Sequence, residues 1–234
     1  NKSLIKDNFT LFVGFFILNV LGYLFHFYAG RKLGPSDYGV FGSLLSLIYI
    51  IGMPLTAIQT TITKFVADFK AKEEYEKISY LLAASLKKIF LIGIVITAIY
   101  LILSPLIASF LKIESITPVM LIGGFLFLAL LLPITRGFLQ GLQRFGQLGN
   151  SFILEGVAKF GFGLILIPTF LRVNGAIISF VFAYLFPFVL TLYFLRKIYR
   201  NTKEKFDSKE IYKYSLPVII MLVSLTLFYT IDIL

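Results

Sequence analysis

Apolar and polar positions along this chain fall into long blocks, and the apolar blocks carry no charge. Uncharged runs cover Asn8 to Gly30, Tyr38 to Thr63, Ile89 to Leu111, Ser115 to Thr135, Val173 to Leu195 and Tyr214 to Ile231. Each reaches the roughly 18 residues at which a run reads as a membrane-crossing helix. A seventh block, Asn150 to Leu171, differs because Glu155 and Lys159 interrupt it. Its uncharged remainder, Phe160 to Leu171, would extend only roughly 18 Å as a helix, against the about 30 Å of a bilayer core. If the block spans, the Glu155/Lys159 turn is carried into the membrane. Ionisable groups at that depth normally face a protein interior or a water-filled cavity.

Between the blocks, Gly30-Arg31-Lys32-Leu33-Gly34-Pro35-Ser36-Asp37-Tyr38-Gly39 predicts a tight turn on Gly-Pro, with Ser36 or Asp37 as the next N-cap. Ala67 to Leu86 mixes charge with Tyr75, Ile78, Leu81 and Leu82 at spacings of three and four, which predicts an amphipathic helix on the inner leaflet. Pro54, Pro105, Pro133, Pro168, Pro187 and Pro217 fall one to a span and predict bent helices. Arg196 to Lys213 is the clearest linker. The fold class is therefore an all-α membrane protein: residues 1–200 form a six-helix transmembrane lobe, and residues 201–234 hold the linker and a partial seventh helix. Because Asp232 lies in an apolar run that stops two residues later, the chain is expected to represent the first half of a larger protein.

Composition narrows the class. The chain is 58% apolar and 15% charged, with mean hydropathy +0.90, far below the roughly 25% charge of soluble domains. The net charge of +10 sorts by side. Lys2, Lys6, Lys64, Lys70, Lys72, Lys77, Lys87, Lys88, Arg144 and the cations from Arg196 to Lys213 fall in alternate loops, against Arg31, Lys32, Lys112 and Arg172 in the others. This bias puts the N-terminus in the cytoplasm and makes the cell membrane the location. It also explains the basicity without nucleic acid, for which no base-stacking module is present. There is no cysteine, so disulfides, thiolate metal sites and cysteine nucleophiles are excluded. With no paired carboxylates, His-Asp pair or metal-ligand cluster in a loop, neither an enzyme nor a metal or cofactor is expected.

Three strings at their joint spacing carry a resemblance: Gly34-Pro35-Ser36-Asp37-Tyr38-Gly39 with Phe41, Gly137-Phe138-Leu139-Gln140-Gly141-Leu142-Gln143-Arg144-Phe145, and Val173-Asn174-Gly175-Ala176. The chain resembles the oligosaccharide flippases of the polysaccharide-biosynthesis family, in the MOP superfamily that includes multidrug exporters and lipid II flippases. The resemblance implies two six-helix lobes around a central cavity that opens alternately to each side. It implies as cargo an oligosaccharide on a polyprenyl phosphate, with membrane lipids and possible glycan assembly enzymes as partners, and a C-terminal lobe absent from this chain. Lipid II flippases carry basic residues along their first helix within the cavity, whereas the first span here, Asn8 to Gly30, holds His26 and Asn19 but no Lys or Arg before Arg31. The alternative from the same architecture is a cation-coupled exporter of small amphipathic compounds, whose cavity should be richer in acids than bases.

Six residues are candidates for the site. Lys159 either meets an anionic head group in the cavity, or snorkels and is neutralised by Glu155, one turn before it in the favourable order. Glu155 is read as the counter-ion of Lys159. Arg136, between Pro133 and the small-xxx-small pair Gly137/Gly141, is either a bidentate phosphate ligand or an interfacial anchor. Asn19 is a polar position inside the first span. His26, the lone histidine, is either a proton carrier or, amid Phe25, Phe27 and Tyr28, a residue of the interfacial aromatic belt. Asp232, near Thr226, Tyr229 and Thr230, is a candidate for a coupling ion.

Overall fold

The computed structural model describes residues 2–169 and 171–199 together with positions 217, 218, 220, 221 and 224, and at 2–7, 50, 51, 53 and 54 it describes backbone alone. Five helices follow in order: α1 Lys2–Ala71, α2 Tyr75–Phe110, α3 Ile116–Gly141, α4 Phe145–Leu166 and α5 Val173–Tyr199. α1 is two limbs joined at Gly34, whose φ of 74° and ψ of 175° break the helix. A side chain is disfavoured there, and Pro35, which needs no N–H partner, starts the second limb. Gly34→Ala is expected to cost about 1–3 kcal/mol, read as a lower melting temperature in detergent.

The two limbs of α1 with α2 to α5 make up the expected six-helix lobe. The seventh span, Tyr214 to Ile231, lies largely outside the described residues. Among those described, four helical stretches are long and apolar enough to cross a membrane, Asn8–Tyr49, Tyr75–Phe110, Ile116–Gly141 and Val173–Tyr199. The chain is a multi-pass membrane protein.

Three of the turns close in the same way. Glu73, Lys112 and Gln143 take positive φ (59°, 54° and 59°). The following N–H then reaches back five residues: Glu74 to Phe69 O, Ile113 to Ala108 O and Arg144 to Leu139 O. These are Schellman closures made without glycine, and they hold consecutive helices as hairpins.

The separate surface helix expected over Ala67 to Leu86 is not formed. Residues 67–71 end α1, 72–74 turn, and 75–86 begin α2. Ile78, Leu81 and Leu82 are buried in a cluster with Phe65, Val66, Phe138 and Leu139 rather than facing lipid. Packing against three helices removes this stripe from water more completely than a bilayer surface would.

Prolines act unevenly. Pro105, Pro133 and Pro187 lie inside α2, α3 and α5. Near Pro105 the freed carbonyl of Leu101 accepts from Ser104 Oγ at 2.7 Å, a local repair of the missing backbone bond. Pro168 instead follows the end of α4, so this helix runs from Phe145 to Leu166 rather than from Asn150 to Leu171.

α3 occupies the centre, against α1, α2 and α5, while α4 is held between α1 and α5. Close approach depends on glycine. A Cβ on Gly137 would stand 2.9 Å from Gln59 O, and one on Gly141 2.7 Å from Thr63 O, so the small-xxx-small pair presses α3 onto the second limb of α1. Gly14 and Gly149 meet likewise, each Cβ position falling within 2.6 Å of opposing backbone oxygen. Two apolar clusters result. The outer one contains Phe25, Phe41, Phe125 and Phe180; the cytoplasmic one contains Phe138, Leu139, Phe152 and Leu195. Along α4, Phe152 belongs to the cytoplasmic cluster and Phe160 packs on the outer one. Glu155 and Lys159 occupy the turns between.

Candidate functional site

α4 carries its charges through the lobe because the small residues Gly149, Ser151 and Gly156 let it approach its neighbours closely. Starting at Phe145, it places Glu155 about 15 Å and Lys159 about 21 Å from its cytoplasmic end, deeper than a start at Asn150 would give.

Glu155 does not pair with Lys159. Its Oε2 accepts from Arg136 Nη2 on α3 at 2.7 Å, which corrects the expected pairing along α4. Arg136 is also bonded to the turn before: its Nε donates to Ser151 Oγ at 3.1 Å and its Nη2 to Ser151 O at 3.2 Å. The guanidinium lies 4.2 Å from the centroid of the Phe152 ring. Both ions are buried, Arg136 at 7% and Glu155 at 8% exposure. The guanidinium is therefore engaged inside the lobe, joining α3 to α4, and is neither an interfacial anchor nor open to an incoming phosphate. The geometry suits a planar five-donor fork better than an ammonium.

Lys159 is left as a cation with no ion pair among the described residues. Its Nζ sits 5.4 Å from the Phe180 ring centroid, and a Cβ on Gly22 would come within 3.3 Å of it. Gly22 on α1 thus makes the space that the ammonium occupies. A cavity of about 530 Å³ opens here, lined by His26, Ile48, Tyr49, Gly52 and Thr56 of α1, Phe125 of α3, Glu155 and Lys159 of α4, and Phe180 and Tyr184 of α5.

His26 belongs to this cavity, which corrects its reading as a belt residue. Its Nδ1 is 3.5 Å from Tyr38 Oη, and its ring packs on Phe25 and Phe41. Asn19 is not brought in: it is exposed, and its Nδ2 donates to Phe15 O at 2.7 Å. Asp232 lies outside the described residues. The residues that sequence reasoning missed are Gly22, Tyr49, Thr56, Ser151 and Tyr184. Only Gly22 left a trace, as a glycine within a span.

At the outer end, Arg172 Nε meets Asp37 Oδ2 at 2.7 Å, and Arg172 Nη2 donates to Leu33 O at 3.2 Å. This ties the start of α5 to the turn between the limbs of α1.

Residues 4–234 match the family model described as polysaccharide biosynthesis protein. The chain belongs to the polysaccharide biosynthesis protein family. An uncharacterized membrane protein of Methanocaldococcus jannaschii is 26% identical over 212 residues, covering 89% of this chain and 48% of the relative. Among solved structures, a MOP superfamily transporter from Pyrococcus furiosus aligns with a TM-score of 0.81 at 16% identity, over 97% of this chain and 53% of that one. A MATE structure in the straight conformation gives 0.81 at 16%, over 97% and 54%. An outward-facing multidrug resistance MATE family transporter gives 0.68 at 17%, over 97% and 53%. At such identities the family member shares the transporters' fold, and the chain spans about half the length of the relatives it matches.

Proposed function

We propose that this chain supplies one lobe, with a linker and the start of a second, of an alternating-access transporter that moves a polyprenyl-phosphate-linked oligosaccharide across the membrane. Lys159 is assigned the anionic group of the cargo, with His26, Tyr49 and Tyr184 shaping the cavity around it. The observation that carries this reading is the freeing of Lys159: Arg136 takes Glu155 at 2.7 Å, so the ammonium lines the cavity without an ion pair among the described residues. A cation so placed attracts a phosphate by about 4 kcal/mol at 4 Å and an effective dielectric of 20. Membership of a polysaccharide biosynthesis family supplies the glycan.

The same fold also exports small compounds, and polarity separates the two. For the Pyrococcus furiosus MOP superfamily transporter, reversed polarity of the binding pocket suggests a different function. An exporter of cations needs a free carboxylate in the pocket; here Glu155 is already bonded to Arg136, which favours an anionic cargo. Arg136 and Glu155 are positioning residues in this scheme.

The test uses the full-length protein in liposomes bearing a fluorescent polyprenyl-pyrophosphate glycan. Lys159→Gln is expected to weaken cargo binding by roughly 30- to 150-fold, the loss of about 2–3 kcal/mol from one desolvated charge pair, and Lys159→Arg is expected to retain most of it. Equal glycan movement by wild type and Lys159→Gln, or movement of cationic dyes in place of the glycan, would rule this reading out.

A further inference from the structure

A second and larger space lies on the periphery of the lobe, away from the Lys159 cavity. It is a groove of about 1010 Å³ between the cytoplasmic halves of α2 and α5, with Leu131 of α3 behind it. On the membrane side of its cations it is lined by Phe90, Leu131, Phe188 and Leu192. One cation stands on each wall, Lys87 on α2 and Arg196 on α5, with Tyr80 and Tyr199 beside them and no carboxylate among the lining residues described. Both cations are exposed, and Arg196 is stacked on Tyr193 at 4.1 Å.

We propose that this groove binds an anionic phospholipid of the inner leaflet, its phosphate between Lys87 and Arg196 and one acyl chain lying down the groove toward Phe188. Three observations agree. On both walls the lining runs from a cation, Lys87 or Arg196, to apolar side chains further into the membrane, Phe90, Leu192 and Phe188, which matches a lipid's head and tail. From Arg196 to Phe188 is eight residues along α5, about 12 Å, close to the roughly 15 Å of one leaflet of hydrocarbon. The neighbouring surface of α2 is itself lipid-facing, with Leu91, Val95, Ile102 and Phe110 exposed, so the groove opens sideways into acyl chains. The cations also carry topogenic charge, but that role asks only that they lie on the cytoplasmic side. It does not require one on each wall of a groove.

The experiment is native mass spectrometry of the full-length protein, released from micelles containing equal dioleoyl phosphatidylglycerol and dioleoyl phosphatidylcholine. Wild type is expected to retain phosphatidylglycerol selectively. The double variant Lys87→Gln/Arg196→Gln is expected to bind it about 30-fold more weakly, the contribution of two membrane-proximal cations, and Leu192→Trp, which fills the groove, is expected to lose it as well. Lys197→Gln, at the same level but outside the groove, should retain it. Equal retention of the two lipids, or equal loss from Lys197→Gln, overturns the site. So does unchanged retention in both groove variants, the result expected if a second copy or another segment of the chain covers the groove. The readout is lipid occupancy rather than glycan movement, so it stands or falls apart from the role given to Lys159.

Discussion

Glu155→Ala should destabilise the lobe by about 3–5 kcal/mol, because it strands the Arg136 guanidinium in a site where that group is only 7% exposed. The partner's remaining bonds, to Ser151 Oγ and Ser151 O, satisfy donors but not charge. Arg136→Ala should cost a similar amount by leaving Glu155 unpaired. The double replacement Arg136→Met/Glu155→Leu should recover most of the loss, since neither ion then remains to be desolvated. Thermal unfolding of the four proteins in one detergent checks this, and additive single losses in the double variant would mean that the ion pair is not the link between α3 and α4. Glu155→Ala also removes an acid that lines the same cavity as Lys159, so its effect on cargo binding is to be compared with that of Lys159→Gln.

Gly141→Val is expected to be comparably severe. Its Cβ would fall 2.7 Å from both Thr63 O and the Val66 side chain, with backbone on one side unable to yield. Overpacking of well-filled cores costs about 1–3 kcal/mol for flexible neighbours. Here α3 must move away from α1, separating Phe138 and Leu139 from Ile62 and Val66 and disturbing the Gln59 Nε2 to Gln140 Oε1 bond of 2.9 Å. Loss of at least about 3 kcal/mol follows, seen as a failure to yield monodisperse protein. Gly161 is the control: nothing lies within 4 Å of its added Cβ, so Gly161→Ala should be neutral or gain up to about 1 kcal/mol from helix propensity. If both substitutions behave alike, the close helix approach is not what these glycines provide.

Much of the lobe was legible beforehand, and the reasons are local. Long uncharged runs have few alternatives to spanning helices, and the bias of Lys and Arg orients them without reference to packing. Gly34-Pro35 reads as a break because its backbone demand is written in two adjacent residues. Gly137/Gly141 reads as a contact because small-xxx-small spacing has one use in a span. What misled was a periodicity that did not name its partner. The stripe Ile78, Leu81, Leu82 has the spacing of a helix lying on lipid, but it packs against α1 and α3, and an amphipathic stripe looks the same whichever apolar surface covers it.

The candidate site shows the same division. The sequence by itself determined that one apolar block is interrupted by an acid and a base, which a spanning helix would carry into the membrane, and that another base, Arg136, closes the preceding apolar run. Only the tertiary structure decided which charges meet. Along α4, Lys159 is four residues from Glu155 and within reach of it; across the bundle, Arg136 is 19 residues away in sequence and has the better claim. Ser151, one turn before Glu155, and the face of Phe152 together hold a planar guanidinium against the carboxylate. That choice releases Lys159 into a space cleared by Gly22. Helix periodicity records neighbours on one helix, whereas electrostatic pairing in a low-dielectric interior depends on distances between helices.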